Sequence, residues 1–234
     1  MSWAPKRFWK TATVQALPDG WAVLLDTRPV KTPAKTPLVL PTEGLAQLVA
    51  AEWDAQTGKI DPSAMPATRM ANSALDKVSP MVPAVADHLA EYGGSDLLCY
   101  RAEKPAALVR RHAEAWDPLL DWAADHLGAR LTVTQGVIHV AQPPQTLEAL
   151  RAHVRTYGPF HLAAFHDLVA ISGSLILALA VAKSRLAATE AWELARIDEA
   201  FQAEEWGEDE EAAEIAALKR ADFLSAARFF ALAG

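Results

Sequence analysis

The sequence predicts an α+β fold, with a small N-terminal antiparallel β-rich domain followed by a larger, mainly α-helical domain. Residues 7–40 contain short runs of aromatic and β-branched residues separated by turn residues, which is typical of a small sheet. From residue 67 onward, apolar residues recur mainly at spacings of three and four, which indicates amphipathic helices. We place the domain boundary between residues 1–60 and 61–234, where a segment rich in turn-forming residues begins.

Two longer strands and two shorter ones make up the predicted sheet. Residues 8–14 and 21–26 form the longer strands, and the Pro-Asp-Gly sequence at 18–20 has the chemistry of the turn between them. Residues 30–33 and 38–41 are bounded by prolines, which restrict strands to the edges or ends of a sheet. We therefore expect a sheet with two short outer strands.

One helix precedes the predicted boundary, and several follow it. Thr42 has the chemistry of an N-cap, and the helix after it carries an apolar stripe. Residues 130–141 interrupt the later helices with two strand-like segments around Gln135 and Gly136, which predicts a β-hairpin. The most apolar run, residues 168–182, is 15 residues long. A membrane-spanning helix needs about 20 residues, so we interpret this run as a buried core helix and expect no membrane insertion. The stripe of the first helix contains Leu45, Leu48, Val49 and Trp53.

An acidic segment near the C-terminus dominates the charge pattern. Between Glu190 and Glu214 there are eleven acidic residues and one basic residue, whereas the whole chain has a net charge of −7. The segment predicts two helices joined at Trp206 and Gly207, with Thr189 as the first N-cap. It is either a solvated acidic face or a docking surface for a basic patch on another protein. The apolar residues predicted for the second helix are Ile215, Leu218, Phe223, Ala226, Phe229 and Phe230.

Charge and composition argue against several function classes. Lysine and arginine cluster only in short pairs, such as residues 6–7 and 110–111, so we expect no nucleic-acid partner. The single cysteine, Cys99, fits a reducing compartment. His161 and His166 are five residues apart and so do not share one helix face, which argues against a metal site.

The sequence leaves a hydrolase-type enzyme open as an alternative. Ser174 follows Ser172 and Gly173 in a string that resembles part of a nucleophile elbow, although the full pattern is not met. Paired carboxylates at residues 204–205 and 210–211 are the other candidates for acid–base chemistry. Neither nucleotide-binding glycine signature is present, and we expect no cofactor.

Several strings, in one order from about residue 6 to residue 230, carry a resemblance to a known family. The chain resembles the mitochondrial F1 complex assembly factor 2 family, the assembly chaperones that handle the alpha subunit of F-type ATP synthase. The strings are KRFWK at 6–10, LDTRPVKTP at 25–33, LVLP at 38–41, AEWDAQ at 51–56, IDPSAMPATRMANSALD at 60–76, DLLCYRA at 96–102, WDPLLDW at 116–122, SGSL at 172–175 and WGEDEEA at 206–212.

The resemblance implies an ATP-independent chaperone and not an enzyme. Such a protein binds the unassembled alpha subunit of the catalytic sector and promotes its assembly with beta. We expect a monomer that works in the bacterial cytoplasm, because the chain shows no transit peptide, whereas eukaryotic relatives work in the mitochondrial matrix. A general interaction module without a single client is the third possibility.

The resemblance also implies where the partner binds. In the family an acidic residue eight positions before the Trp-Gly pair matters for activity; here this residue is Asp198, where the family form is expected to be glutamate. Trp53 also resembles an important family position, although its place on an apolar stripe favours a structural role. The residues predicted to bind the partner are Asp198, Glu199, Gln202, Glu205, Trp206 and Trp53.

Overall fold

The computed structural model describes residues 6–234 and confirms the predicted α+β fold. The sheet consists of β1 (Ala12–Leu17), β2 (Gly20–Leu25), β3 (Arg28–Pro29) and β4 (Val39–Leu40). β2 is central and pairs antiparallel with each of the other three strands. β1 begins later than predicted, because the backbone N–H groups of Lys10 and Thr11 donate to the Asp26 carboxylate, at 3.0 Å each, and not to a neighbouring strand.

A two-residue turn joins β1 and β2, as the sequence predicts. Leu17 pairs with Gly20, so Pro18 and Asp19 form the loop. Gly20 has φ of 147°, and a Cβ atom at this position would lie 2.5 Å from the carbonyl oxygen of Leu40. Only glycine therefore allows β4 to approach β2 this closely.

The first helix, α1 (Glu43–Asp54), begins where the sequence predicts. The Thr42 hydroxyl oxygen accepts a hydrogen bond from the Leu45 N–H at 3.2 Å, which confirms the N-cap. The same hydroxyl donates to the carbonyl oxygen of Leu232. Leu45 and Val49 are buried, whereas Leu48 and Trp53 are half-buried.

The chain from residue 62 onward is mainly helical. α2 (Pro66–Ser73) has its first turn capped by the Glu52 carboxylate, which accepts hydrogen bonds from the N–H groups of Ala67 and Thr68. A π-helical turn, Ala74–Val78, and a 3₁₀ turn, Ser79–Met81, follow α2, and further 3₁₀ turns occupy Pro62–Ala64, Glu91–Ser95 and Leu97–Cys99. The remaining elements are α3 (Val82–Ala90), β5 (Tyr100–Arg101), α4 (Ala106–His126), β6 (Thr134–Gln135), α5 (Pro144–Val154), α6 (Pro159–Ser172), α7 (Leu175–Ala182), α8 (Ala188–Leu194), α9 (Ile197–Trp206) and α10 (Glu210–Leu232).

The chain divides into two compact units. Unit 1 contains the chain up to Val82 together with Gly158–Ala164 and Arg228–Gly234. Unit 2 contains Pro83–Tyr157 and Phe165–Ala227. The domain boundary that the sequence predicts near residue 60 is based on the change from strand-like to helical sequence, and it stays a prediction.

The predicted hairpin at residues 130–141 is wrong. Only β6 forms there, and it pairs in parallel with β5. The side-chain amide of Gln142 takes the place of a partner strand, because it accepts from the Thr132 N–H at 2.7 Å and donates to the Thr132 carbonyl oxygen at 2.9 Å. Val137 is consequently 94% exposed.

The apolar run at 168–182 is largely buried, although Ala170 is exposed, and it is not the single core helix that was predicted. α6 ends at Ser172 and α7 begins at Leu175. Gly173 has φ of 69°, and the Ser174 hydroxyl caps α7 by accepting from the Leu177 N–H at 3.0 Å. Gly173 therefore ends α6, and Ser174 starts α7.

The acidic segment also differs from its prediction. α8 and α9 replace the single helix expected before Trp206, and Thr189 is not an N-cap, since α8 starts at Ala188. The break has a tertiary cause, because the Trp116 indole N–H donates to the Leu194 carbonyl oxygen at 2.9 Å. In α10 the later apolar residues such as Phe223 are buried, but Leu218 is 70% exposed.

In the part of the chain that the structure describes, none of the helices combines the length and the apolar character required to cross a membrane. Within residues 6–234, no three histidine, cysteine or acidic side chains are grouped in a way that could hold a metal ion.

Candidate functional site

α9 packs on α4 through a buried ring and two polar contacts. Phe201 of α9 is buried. The Arg111 guanidinium of α4 lies over this ring, 5.2 Å from its centroid, and donates to both carboxylate oxygens of Glu204 at 2.9 and 2.5 Å. A bidentate arginine–carboxylate pair fixes orientation as well as distance, so it sets the position of α9 on α4. The pair also lowers the pKa of Glu204.

Asp198 lies at the first turn of α9, against a buried histidine of α4. His112 is 2% exposed and stacks on Trp116 with 4.0 Å between the ring centroids. Its Nδ1 accepts from the Ala102 N–H at 3.2 Å, and its Nε2 lies 3.2 Å from Oδ1 of Asp198. The Asp198 carboxylate oxygen thus faces the ring nitrogen of a buried histidine within ion-pair distance.

Burial decides the charge of His112. Desolvation lowers the pKa of His112 below its ordinary value, and the nearby Asp198 carboxylate opposes this shift only in part. With Nδ1 accepting, the neutral ring carries its proton on Nε2, which faces Asp198. Asp198 is therefore tied to α4, and it is less free to meet a partner than its neighbours in α9.

Four of the predicted partner-binding residues are exposed on α9. Glu199, Gln202 and Glu205 are exposed, and Trp206 is 80% exposed. An indole this exposed presents a large aromatic surface to water, and such side chains are enriched at protein interfaces. Gly207 ends the helix with φ of 91°, a conformation that other residues rarely adopt.

A groove of about 460 Å³ lies between α9 and α10. Ala200 and Ala203 contribute from α9, and Ala212, Ala213 and Ala216 contribute from α10, so much of its lining is apolar. Glu199, Gln202 and Trp206 also line it, but Asp198 and Glu205 do not. The charged residues along the groove are Glu193, Arg196, Glu199, Glu208 and Asp209.

Trp53 belongs to unit 1, whereas the other predicted partner-binding residues belong to unit 2. It is half-buried and packs edge-to-face on Trp9, with 5.3 Å between the ring centroids. Trp9 is itself buried and contacts the exposed Phe8. Trp53 thus forms part of an aromatic cluster next to the sheet.

The geometry does not favour Ser174 as a nucleophile. Ser174 is fully buried, and its hydroxyl donates to Oδ1 of Asp96 at 2.8 Å. Asp96 also accepts from the N–H groups of Leu98 and Ile176 at 3.0 and 2.9 Å. Burial raises the pKa of Asp96 to about 6, against these hydrogen bonds, which lower it. The pair holds the start of α7 in place.

The paired carboxylates considered for catalysis also have ordinary surroundings. Glu204 is paired with Arg111, and Glu205, Glu210 and Glu211 are exposed. Cys99 is buried, and desolvation raises its pKa to about 12, so its thiol stays protonated and unreactive.

Sequence reasoning did not single out the α4 partners of the acidic helix. The basic pair at residues 110–111 was the available signal, since it lies on a helix. Arg111 and His112 meet α9 only because residues about 90 positions away fold against them, for example 93 positions for Arg111 and Glu204. His112 had no signal of its own.

The exposed Trp206 offers the kind of aromatic surface that is enriched at protein interfaces. Comparison with known proteins gives the class: the chain belongs to the ATP12 chaperone protein family, whose model matches residues 6–124, and this is a family of assembly chaperones of ATP synthase. The resemblance noted in the sequence is thereby confirmed.

Individual relatives cover nearly the whole chain. The crystal structure of Atp12 from Paracoccus denitrificans is similar over 100% of both chains, with 54% identity and a TM-score of 0.94. The Atu1473 protein of Agrobacterium tumefaciens matches with 44% identity and a TM-score of 0.93 over 97% of this chain and 86% of that chain. The mitochondrial protein atp12 of Schizosaccharomyces pombe is 27% identical over an alignment of 223 positions, and the alignment covers 90% of this chain and 76% of the relative.

Proposed function

We propose that this chain is an ATP-independent chaperone that binds the unassembled alpha subunit of F-type ATP synthase and promotes its assembly with beta. Membership of the ATP12 family supports a role in ATP synthase assembly. The observation that carries the proposal is the exposed surface of α9, where Trp206 lies among Glu199, Gln202 and Glu205. We name these four side chains the client surface.

The client surface combines an apolar anchor with negative charge. An exposed indole supplies buried area when a partner covers it. The carboxylates at its rim speed the encounter with a basic partner and set its register, and they contribute less to affinity than the indole does. Release occurs when beta subunits compete for the same face of the client, and no nucleotide hydrolysis is involved.

Asp198 and Trp53 support binding in a different way. Asp198 lies against the buried His112, so it holds the first turn of α9 in position for the client surface. Trp53 packs on Trp9 in unit 1 and keeps this aromatic cluster ordered. The protein acts as a monomer without catalysis, and in a bacterial cell it works in the cytoplasm; the S. pombe relative is mitochondrial.

A pull-down with separately expressed alpha and beta subunits tests the proposal. The purified chain should retain alpha and not beta, and retention should weaken as salt is raised. The variant Glu199→Lys with Glu205→Lys should weaken alpha binding by about tenfold or more, because it reverses two rim charges. Asp198 is left intact so that the contact with His112 survives.

The matched control reverses two exposed acids on α4, with Glu114→Lys and Asp125→Lys. This control should retain alpha as the unmodified chain does. Full alpha retention by a folded Glu199→Lys, Glu205→Lys variant would remove the client surface from the proposal. Equal retention of many unfolded proteins would point instead to an interaction module without a single client.

A further inference from the structure

Arginines in this protein recur in one arrangement, between an aromatic ring and a carboxylate. Residues 6–234 contain five contacts in which an arginine guanidinium lies over a ring, and four of these arginines also pair with an acidic side chain. The ring attracts the cation through its quadrupole, and the carboxylate attracts it by charge. The four are Arg7 over Trp9 with Asp54 at 3.1 Å, Arg101 over Trp116 with Asp117 at 2.8 Å, Arg111 over Phe201 with Glu204 at 2.5 Å, and Arg196 over Trp192 with Glu199 at 3.6 Å.

Trp206 has the ring and the carboxylates of this arrangement but not the arginine. It lines the groove between α9 and α10 together with Glu208 and Asp209. None of the arginine–ring contacts within the described residues involves Trp206, and its side chain is 80% exposed. The open ring therefore faces water beside negative charge.

Arg196 lies in the same groove but is already engaged. Its guanidinium lies 5.2 Å from the Trp192 ring centroid and 3.6 Å from the Glu199 carboxylate. Asp209 accepts one hydrogen bond, from the Ala212 N–H at 3.1 Å, which caps α10. Glu208 and the second oxygen of Asp209 are therefore left to meet an incoming cation.

We infer that the groove between α9 and α10 receives an arginine-bearing segment of the client, with the guanidinium over Trp206 and against Glu208 and Asp209. The alanines of the groove offer no bulky side chains, so a peptide backbone can lie along them. The groove volume of about 460 Å³ accommodates a few side chains, and its carboxylates complement a basic segment. This inference rests on the proposed function for the identity of the client.

The direct test follows the indole N–H signal of Trp206 in the ¹⁵N-labelled full chain, assigned through its loss in Trp206→Phe. The probes are three pentapeptides with alanine around a central arginine, lysine or citrulline. The arginine peptide should shift the signal saturably, the lysine peptide less, and the neutral citrulline peptide not at all. Equal shifts with arginine and citrulline, or no shift with arginine, would overturn the inference.

A charge variant and its control sharpen this test. Glu208→Gln should weaken the response to the arginine peptide by about two- to fivefold, the range expected for one exposed cation contact. Glu114→Gln, an exposed acid on α4, should leave the response unchanged. Equal weakening by both variants would assign the effect to net charge and overturn the groove as the binding site.

Pull-downs with Trp206→Leu separate the two proposals. Retention of alpha that is weakened by about tenfold or more, together with a response of the unmodified chain to the arginine peptide, supports the groove as a contact of the client. Weakened retention of alpha by Trp206→Leu, without a response of the unmodified chain to the arginine peptide, overturns the inference and leaves the proposed function in place. If the unmodified chain responds to the arginine peptide but does not retain alpha, the arginine site is supported and the proposed client is overturned.

Discussion

Asp96 and the acidic residues of α9 carry the same chemical group in opposite surroundings. The Asp96 carboxylate is fully buried and accepts hydrogen bonds from the Ser174 hydroxyl and from two backbone N–H groups. Glu199 and Glu205 are exposed, and Glu199 makes only an exposed ion pair with Arg196 at 3.6 Å, a kind of contact that contributes little to stability. The first carboxylate therefore serves the fold, and the other two are available to a partner.

Glu204 and Asp198 lie between these extremes. Glu204 is exposed but paired with Arg111, and Asp198 is partly exposed and lies against the buried His112. α9 thus carries two kinds of acid at helical spacing, those that attach it to α4 and those that face water. The comparison teaches that an acidic run is not one surface, because the partners of each carboxylate decide what it does.

Removal of the Asp96 side chain should give the largest effect on stability. Asp96→Ala leaves the Ser174 hydroxyl and the N–H groups of Leu98 and Ile176 without their acceptor in a buried site. We expect the free energy of unfolding to fall by about 2–4 kcal/mol, as measured by urea denaturation at pH 7. Asp125→Ala, at an exposed position of α4, should cause no such loss. Equal stability of the two variants would contradict the structural role of Asp96.

The buried histidine behind α9 should make stability depend on pH. Burial lowers the pKa of His112 in the folded chain below the ordinary value of 6.5, so the unfolded chain takes up this proton first as the pH falls. The contribution of neutral His112 is therefore complete above about pH 6.5 and is lost as the pH falls through its folded pKa. Urea denaturation between pH 8 and pH 5.5 should show a steeper loss for the unmodified chain than for His112→Gln.

Other groups in the fold titrate in the same range, so the comparison uses a difference. Asp96 acts with the opposite sign, because its raised pKa of about 6 makes the folded chain more stable as the pH falls. This contribution is present in both chains, so it cancels when the free energy of unfolding of His112→Gln is subtracted from that of the unmodified chain. A pKa of His112 at or above 6.5, measured by NMR, would overturn the prediction.

Local sequence signals predicted the parts of the fold that depend on neighbouring residues. Thr42 caps α1, residues 18–20 turn between strands, and Trp206 ends a helix before Gly207, all as expected. Each of these features is decided within a few positions of the chain. The α+β class followed from the same signals.

Contacts between distant parts of the chain account for the errors. The break between α8 and α9 reflects the hydrogen bond from Trp116 to the Leu194 carbonyl oxygen, across 78 positions. The Ser174 hydroxyl reaches Asp96 across the same separation, so a possible nucleophile became a structural residue. The predicted hairpin failed because the side chain of Gln142 took the place of a strand. Periodicity carries no information about such partners.

The smallest effect should come from two adjacent acids of α9, Glu204 and Glu205. Glu204→Gln removes one partner of the bidentate pair with Arg111 and should lower the free energy of unfolding slightly, whereas Glu205→Gln should leave it unchanged. In the alpha-subunit pull-down the order should reverse, with Glu205→Gln weakening retention more.

Each variant is also combined with Arg111→Met, and a coupling energy in urea denaturation should appear for Glu204 and be smaller for Glu205. Equal coupling for both would mean that Arg111 responds to the charge of the whole helix, and the distinction between attaching and client-facing acids would fail. Unequal coupling with equal binding losses would keep the distinction for stability alone, and the client surface would then include Glu204.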